Sequence, residues 1–329
     1  MGDDAGSTTG SDAGSSTCSS QIDLTSDPDN CGACGHSCNG GACQASLCQP
    51  VALAIGQNNP QGIAVDTGNV YWTSGDGTVQ RMAIAGGAPT TLASGQTSPF
   101  GVAVDATRVY WTNKAGAGSG GAVMSALIAG GGQQTLASAQ GAPDRVVVTG
   151  GLLYWTNSAA GAVVKLPLSG GTPVSLAIQQ GVTGGLAVDT TTLYWSSIGQ
   201  KAVRSLSLNN GGAPSNLAIN QGTVLSVHVR NGMLYWADDE IGSVYRMPAV
   251  GGSPATLASG QNVHAIAVDD ASVYWTDDIG NKIVRVPVAG GAPVVIAANQ
   301  ATPSEIALDD KNVYWVNSTS NGAVLKLAK

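Results

Sequence analysis

Phe100, Asp144, Arg145, His264 and Glu305 combine an aromatic face, two carboxylates, a guanidinium and an imidazole, a mixture able to hold a small ligand. They stand at corresponding places in a repeat, at the heads of segments such as GVAVD (101–105) and IALD (306–309). Other units carry Gln61-Gly62, Gly184-Gly185 and Leu225-Ser226 there. Sites in repeat proteins sit where the units stop agreeing, so this ring is the expected ligand-binding site. Asp239, Glu240 and Asp278 lie in neighbouring loops. Grouped carboxylates of this kind can coordinate Ca²⁺ through oxygen, and the alternative is a solvated acidic rim. If His264 and Glu305 converged, with or without a metal, acid–base chemistry of a lyase or lactonase would be open to them. No unit carries a catalytic signature, so no catalytic residue and no obligatory cofactor are assigned. The Gly-rich stretch 114–121 is the expected flap beside the site.

A repeat positions these residues. Tyr71-Trp72, Tyr110-Trp111, Tyr154-Trp155, Tyr194-Trp195, Tyr235-Trp236, Tyr274-Trp275 and Tyr314-Trp315 hold every Trp and all but one Tyr. Successive Trp lie 39, 44, 40, 41, 39 and 40 residues apart, a period near 40. In the sixth unit HAIAVDD (264–270), SVYWTD (272–277), NKIVRVPV (281–288) and APVVIAANQ (292–300) read as four strands. Asp269-Asp270, Gly280 and Gly290-Gly291 supply the turns. The apolar runs are nearly continuous, as in strands buried on both faces.

The first three strands occur seven times, but the fourth occurs only six times inside the units. Its seventh copy, LAIGQ (53–57), precedes the first unit, and the chain ends at Lys329 after a third strand. The expectation is an all-β, seven-bladed β-propeller at 50–329 whose N-terminal strand closes the last blade. Trp72, Trp111, Trp155, Trp195, Trp236, Trp275 and Trp315 read as wedges between blades, the other reading being a stacking surface for sugars or bases. Each wedge buries roughly 150–250 Å², worth about 4–6 kcal/mol as an upper bound. A chain with a single Phe has few aromatic groups outside these pairs. The short polar residues after the motif (Ser74, Asn113, Asn157, Ser197, Asp238, Asp277, Asn317) are expected to tie strand ends to backbone. Arg81, Lys165, Arg246, Arg285 and Lys326 are expected to pair across strands or with turn carboxylates.

Residues 1–17 are Gly, Ser, Thr, Asp and Ala apart from Met1, and read as a disordered, acidic tether. All six cysteines, Cys18, Cys31, Cys34, Cys38, Cys43 and Cys48, fall in a module at 18–49. An even count in a segment too small for a core reads as a disulfide-stapled knot. The alternative is a zinc site using Cys31, Cys34, Cys38 and His36, although no second C-x2-C is present. His36 otherwise reads as a solvated loop residue. Disulfides need an oxidising compartment, yet no signal peptide heads the sequence. The expectation is an export signal upstream of Met1 or already removed, and an extracellular or cell-surface location.

Charge narrows the partners. The net charge is −7, of which the six Asp of residues 1–50 supply −6, leaving 14 basic against 15 acidic residues in the remainder. A near-neutral fold argues against nucleic acid as a partner. Ten acids against Arg246, Lys282 and Arg285 make 238–310 an acidic sector. No apolar run approaches the roughly 18 residues of a membrane span. The partner is expected to be a protein, or a small molecule or glycan, bound by a monomer.

The Tyr-Trp-Thr-Asp motif, complete at 274–277, resembles the YWTD class of β-propeller, the class B repeats of low-density-lipoprotein receptors and their bacterial counterparts. The resemblance covers 50–329. Receptor propellers of that class have six blades, so the seven units here depart from it. The CGxCGxxC spacing at 31–38 is similar to that of predicted myxobacterial surface lipoproteins, in which a Ser/Gly/Asp tether follows a lipidated cysteine. Together these imply a non-catalytic surface propeller that binds a ligand or protein at its channel mouth. The alternatives are a lyase- or lactonase-type enzyme and a purely structural surface spacer.

Overall fold

The computed structural model describes residues 22–115, 120–209 and 211–329, and these contain strands and turns but no helix. Contacts divide the chain at Gln49 and Pro50 into two compact units.

The N-terminal unit is organised by one two-stranded hairpin, Cys43–Gln44 with Leu47–Cys48. Its two-residue turn, Ala45-Ser46, has both φ angles positive (49° and 65°), the twist that tight hairpins favour. Disulfides Cys31–Cys43 and Cys38–Cys48 leave from the hairpin's paired end, where Cys43 and Cys48 are register partners. Cys34 is disulfide-bonded as well, and Cys18 lies outside the described residues. The sulfurs of Cys31, Cys38 and Cys48 sit within 4.8 Å of one another, but each is committed to a disulfide and offers no thiolate to zinc. His36 departs from its reading as a solvated loop residue: its Nδ1 donates to the Cys31 carbonyl at 2.6 Å.

The second unit is a ring of seven four-stranded antiparallel sheets. Six are built in chain order. The seventh combines the last three strands (Pro303–Leu308, Asn312–Asn317, Gly322–Ala328) with Val51–Gln57 as its outer strand. Val51 pairs with Lys326 and Gln57 with Gly322, so the N-terminal strand closes the ring.

The second strand of each blade explains the repeated dipeptide. Neighbouring residues of a strand point to opposite faces, and each sheet here is covered on both. Trp111 therefore packs with Tyr71 of the preceding blade, Trp155 with Tyr110, and Trp195 with Tyr154. Trp236 packs with Tyr194, Trp275 with Tyr235, and Trp72 with Tyr314 across the closure. All seven Trp are 0% exposed. The indole N–H of Trp72, Trp111, Trp155, Trp236 and Trp315 donates to a Gln 15 residues earlier: Gln57, Gln96, Gln140, Gln221 and Gln300. That Gln ends or closely follows the outer strand of the blade before, so each bond latches two blades. Trp195 lacks the latch, the Gln180 oxygen accepting from Arg204; Trp275 lacks it with its Gln, Gln261, only 14 residues earlier. Third-strand cations also bridge blades, Arg246 to the Val288 carbonyl and Lys326 to that of Ile84 at 3.1 Å.

Candidate functional site at the channel mouth

The innermost strands line a central channel with a cavity of about 430 Å³, to which all seven blades contribute. Near one mouth most inner strands slip register against their neighbours: between Pro99 and Val102, Pro143 and Val146, and Pro303 and Ile306, for example. A bulge of this kind re-aims side chains. Phe100, Asp144, Arg145 and Glu305 all stand in these bulges, which is how a strand presents them at the mouth.

In most blades the third residue of the repeated motif holds this part of the inner strand. Gly62 N–H donates to Thr73 Oγ1 at 2.9 Å, and that hydroxyl donates to the Phe100 carbonyl of the next blade at 2.6 Å. Thr112 repeats the pattern from Gly101 to the Asp144 carbonyl, and Thr276 from Ala265 to the Ser304 carbonyl. Blades five and seven carry Ala237 and Val316 instead. Ser226 and Ser318 take over there, contacting Ile266 and Pro60. Small residues let the inner strands approach: a Cβ on Gly62 would lie 2.2 Å from the Phe100 oxygen, and one on Gly101 2.3 Å from that of Asp144.

Four of the five expected ligand-binding residues join one cluster. Arg145 Nη1 meets Glu305 Oε1 at 2.6 Å, a pair joining blades three and seven, with side chains 19% and 14% exposed. Phe100 lies under both cations, its ring centroid 5.4 Å from the Arg145 guanidinium carbon and 4.3 Å from Lys114 Nζ. Lys114 Nζ in turn sits 3.1 Å from Asp144 Oδ2. The other Asp144 oxygen is buried without a hydrogen-bond partner among the described residues. Burial works against the Arg145 charge, but Glu305 and Asp144 outweigh it and its pKa is raised, so this group is a fixed cation.

His264 stands apart. Its Nδ1 lies 3.8 Å from Asp278 Oδ2, whereas Glu305 is taken by Arg145, so two separate pairs replace the convergence that an acid–base site would need. Asp239 is pushed above the usual carboxylate range, by burial first and by the nearby Asp278 charge second, with His264 opposing. Glu240 turns away from both, toward Lys201 Nζ at 3.6 Å in an exposed pair. Asp239, Glu240 and Asp278 thus form no three-ligand group; among the described residues only the disulfide-bonded cysteines gather so closely. Of the expected flap at 114–121, residues 116–119 lie outside the described residues.

Two participants escaped the sequence reading. Lys114 follows the second motif directly, yet only folding shows that it turns back over Phe100. His228 lines the channel beyond Arg145 and Glu305. Burial pushes its pKa down to about 4; the Glu305 charge opposes this and Arg145 adds to it. A signal existed for His228: opposite the Tyr of the motif, the other inner strands carry Ala64, Ala103, Val147, Ala187, Ala267 and Ala307.

Solved structures place this architecture among known propellers. Virginiamycin B lyase from Staphylococcus aureus superposes with a TM-score of 0.72 at 15% identity, over 85% of this chain and 98% of that one. A streptogramin B lyase matches equally well, at 14% identity over 85% and 96%. A chain of the nidogen/laminin complex matches with a TM-score of 0.54 at 19% identity, over 65% of this chain and 87% of that one. These likenesses are of fold. No protein-family model matches the sequence, and no curated protein matches it.

Proposed function

We propose that this protein is a non-catalytic, extracellular or cell-surface propeller that binds a small ligand, glycan or protein segment at the channel mouth. The observation that carries the reading is the cluster of Asp144, Lys114, Phe100, Arg145 and Glu305. In a chain with only 11% charged residues, two cations and two carboxylates converge on the single Phe beside a cavity. Paired charges held on bulges of rigid strands are ready to exchange partners with an incoming polar group, and Phe100 offers it an apolar face. Outside placement rests on the disulfides, which persist in oxidising compartments. The cysteine module fits a surface lipoprotein's stalk, while the tether expected at 1–17 lies outside the described residues. The test is a glycan and peptide array probed with the full chain and with Phe100→Ala and Arg145→Gln. Signals that disappear in both variants support the reading, and signals indifferent to both place the site elsewhere.

A second reading, an enzyme of lyase type, draws on His264 beside Asp278 and Asp239, and on the shared fold of virginiamycin B lyase. One structure of that lyase is a catalytically inactive histidine-to-alanine variant with quinupristin. Incubation with quinupristin, followed by mass spectrometry with and without an added divalent cation, tests it. Turnover lost in His264→Ala would replace the binding reading with this one. A purely structural spacer predicts no ligand in either experiment.

A further inference from the structure

The repeat supplies its own example of a carboxylate held between a tyrosine and a basic residue. In five blades the motif Tyr donates its phenol to an Asp five residues earlier, in the turn after the inner strand: Tyr71 to Asp66, Tyr110 to Asp105, Tyr194 to Asp189, Tyr274 to Asp269 and Tyr314 to Asp309. In blades one and six the residue paired across from that Tyr is an arginine, Arg81 or Arg285. Its charge acts on the same phenol as the Asp does.

Blade five keeps the Tyr and the Arg but not the Asp. Tyr235 pairs across the strands with Arg246, so both side chains leave the same face, while Arg230 occupies the Asp position. Arg230 swings to the next blade, its Nε donating to Asp270 Oδ1 at 2.6 Å. Tyr235 is 5% exposed, and its hydroxyl has no hydrogen-bond partner among the described residues. Nor is that oxygen sealed in the core, because Tyr235 borders a second cavity of about 480 Å³ between blades five and six. Arg246, Met233 and Pro248 border the same cavity, whereas the Met247 side chain leaves the other face into the core around Trp236. Arg246 spends one nitrogen on the Val288 carbonyl and has no carboxylate partner among the described residues. The two acids on the rim are already committed: Asp269 to Lys329 at 2.8 Å, and Asp270 to Arg230 and Asn231.

We propose that this pocket binds a small organic carboxylate, whose charged end takes the place of the missing Asp against Tyr235 and Arg246. Its apolar body packs on Met233 and Pro248. Replacing Asp by Arg230 changes the local charge from negative to positive, and charge-assisted hydrogen bonds from a phenol and a guanidinium are the strong kind. The volume lies within the range of small-molecule pockets. This site is separate from the channel-mouth cluster and does not depend on it.

The test uses the full chain with ¹³C-methyl-labelled methionine, reading the Met233 methyl resonance while phenylacetate is added, with the core Met247 methyl as internal reference and phenylacetamide as the uncharged control. The expected result is a saturable shift with phenylacetate and none with the amide. Tyr235→Phe should weaken binding by roughly tenfold, the size of one lost hydrogen bond to a charge. Arg230→Asp restores the repeat's own carboxylate beside Tyr235 and should abolish binding. Since it returns the turn to the sequence of its five sister blades, it tests the idea without removing a fold contact shared by the repeat. No saturable shift up to about 10 mM phenylacetate, where a weak small-ligand site would show, overturns the proposal. So does equal binding of the amide, or binding that survives Arg230→Asp.

Discussion

His228 makes the stability of the propeller depend on pH in a calculable way. In the unfolded chain its imidazole titrates near the ordinary 6.5, whereas in the channel wall burial holds it down to about 4. Protonation is then easier in the unfolded state. The sign follows: the contribution is complete above pH 6.5 and is lost as pH falls from there toward 4. Integrating between those two values gives a loss of at most about 2 kcal/mol on going from pH 7 to pH 5. For a propeller of this size that lowers the melting temperature by about 4 °C. Glu305 favours the imidazolium and Arg145 disfavours it, and the two charges are themselves paired, so burial dominates. The decisive comparison is His228→Ala, which installs the residue that Ala64, Ala103, Ala187, Ala267 and Ala307 supply in other blades. Calorimetric melts of both proteins at pH 5, 6 and 7 should show a slope in the parent that is flattened in the variant. Equal slopes in the two would refute the reasoning, because the protons taken up on unfolding would then belong to another group.

Four further outcomes follow from the same contacts. Deleting 50–57 removes the outer strand of the seventh blade and the Gln57 latch on Trp72; the melting temperature should fall and the exposed edge of Gly322–Ala328 should promote association, read by calorimetry and size-exclusion chromatography. Gln300→Leu leaves the Trp315 indole N–H buried without an acceptor and should cost about 1–3 kcal/mol in urea unfolding. The same change at Gln261, whose Trp275 makes no such bond, should stay within about 0.5 kcal/mol, and equal costs would show that the latch is not the cause. Arg145→Gln leaves the largely buried Glu305 without its cation and should destabilise by about 2 kcal/mol, a loss that Arg145→Gln with Glu305→Gln recovers in part. Because Glu240 diverges from Asp239 and Asp278, millimolar Ca²⁺ should leave the melting temperature unchanged; stabilisation that vanishes in Asp239→Asn would show that the loops close around the ion.

Much of the scaffold was legible because its determinants are local and repeated. The Tyr-Trp pair works through the opposite faces of a single strand, so its period counts the blades directly. Ring closure was legible because a fourth-strand copy stood alone at 53–57 with no partner in its own unit. The latching role of the fourth-strand Gln was also open to inspection, in its constant spacing of 15 residues from the following Trp. Even its failure at Trp275, where one residue is missing, is written in the chain.

The site was legible as a place and not as a set of partners. Phe100, Asp144, Arg145 and Glu305 could be picked out because they break the pattern at bulge positions. That Arg145 faces Glu305 depends on how blades three and seven are disposed about the channel, which no local spacing encodes. Glu240 shows the converse error: adjacent to Asp239 in sequence, it points to Lys201, because consecutive residues leave a turn in different directions. His228 and Tyr235 gain their meaning from what surrounds them, a narrow channel for one and a substituted turn for the other. The sequence alone therefore determined the seven blades, their closure and the irregular positions, all products of short-range alternation and period. Only the tertiary structure decided which charges meet, which titratable group is buried and where a cavity opens, because those depend on distances between residues far apart in the chain.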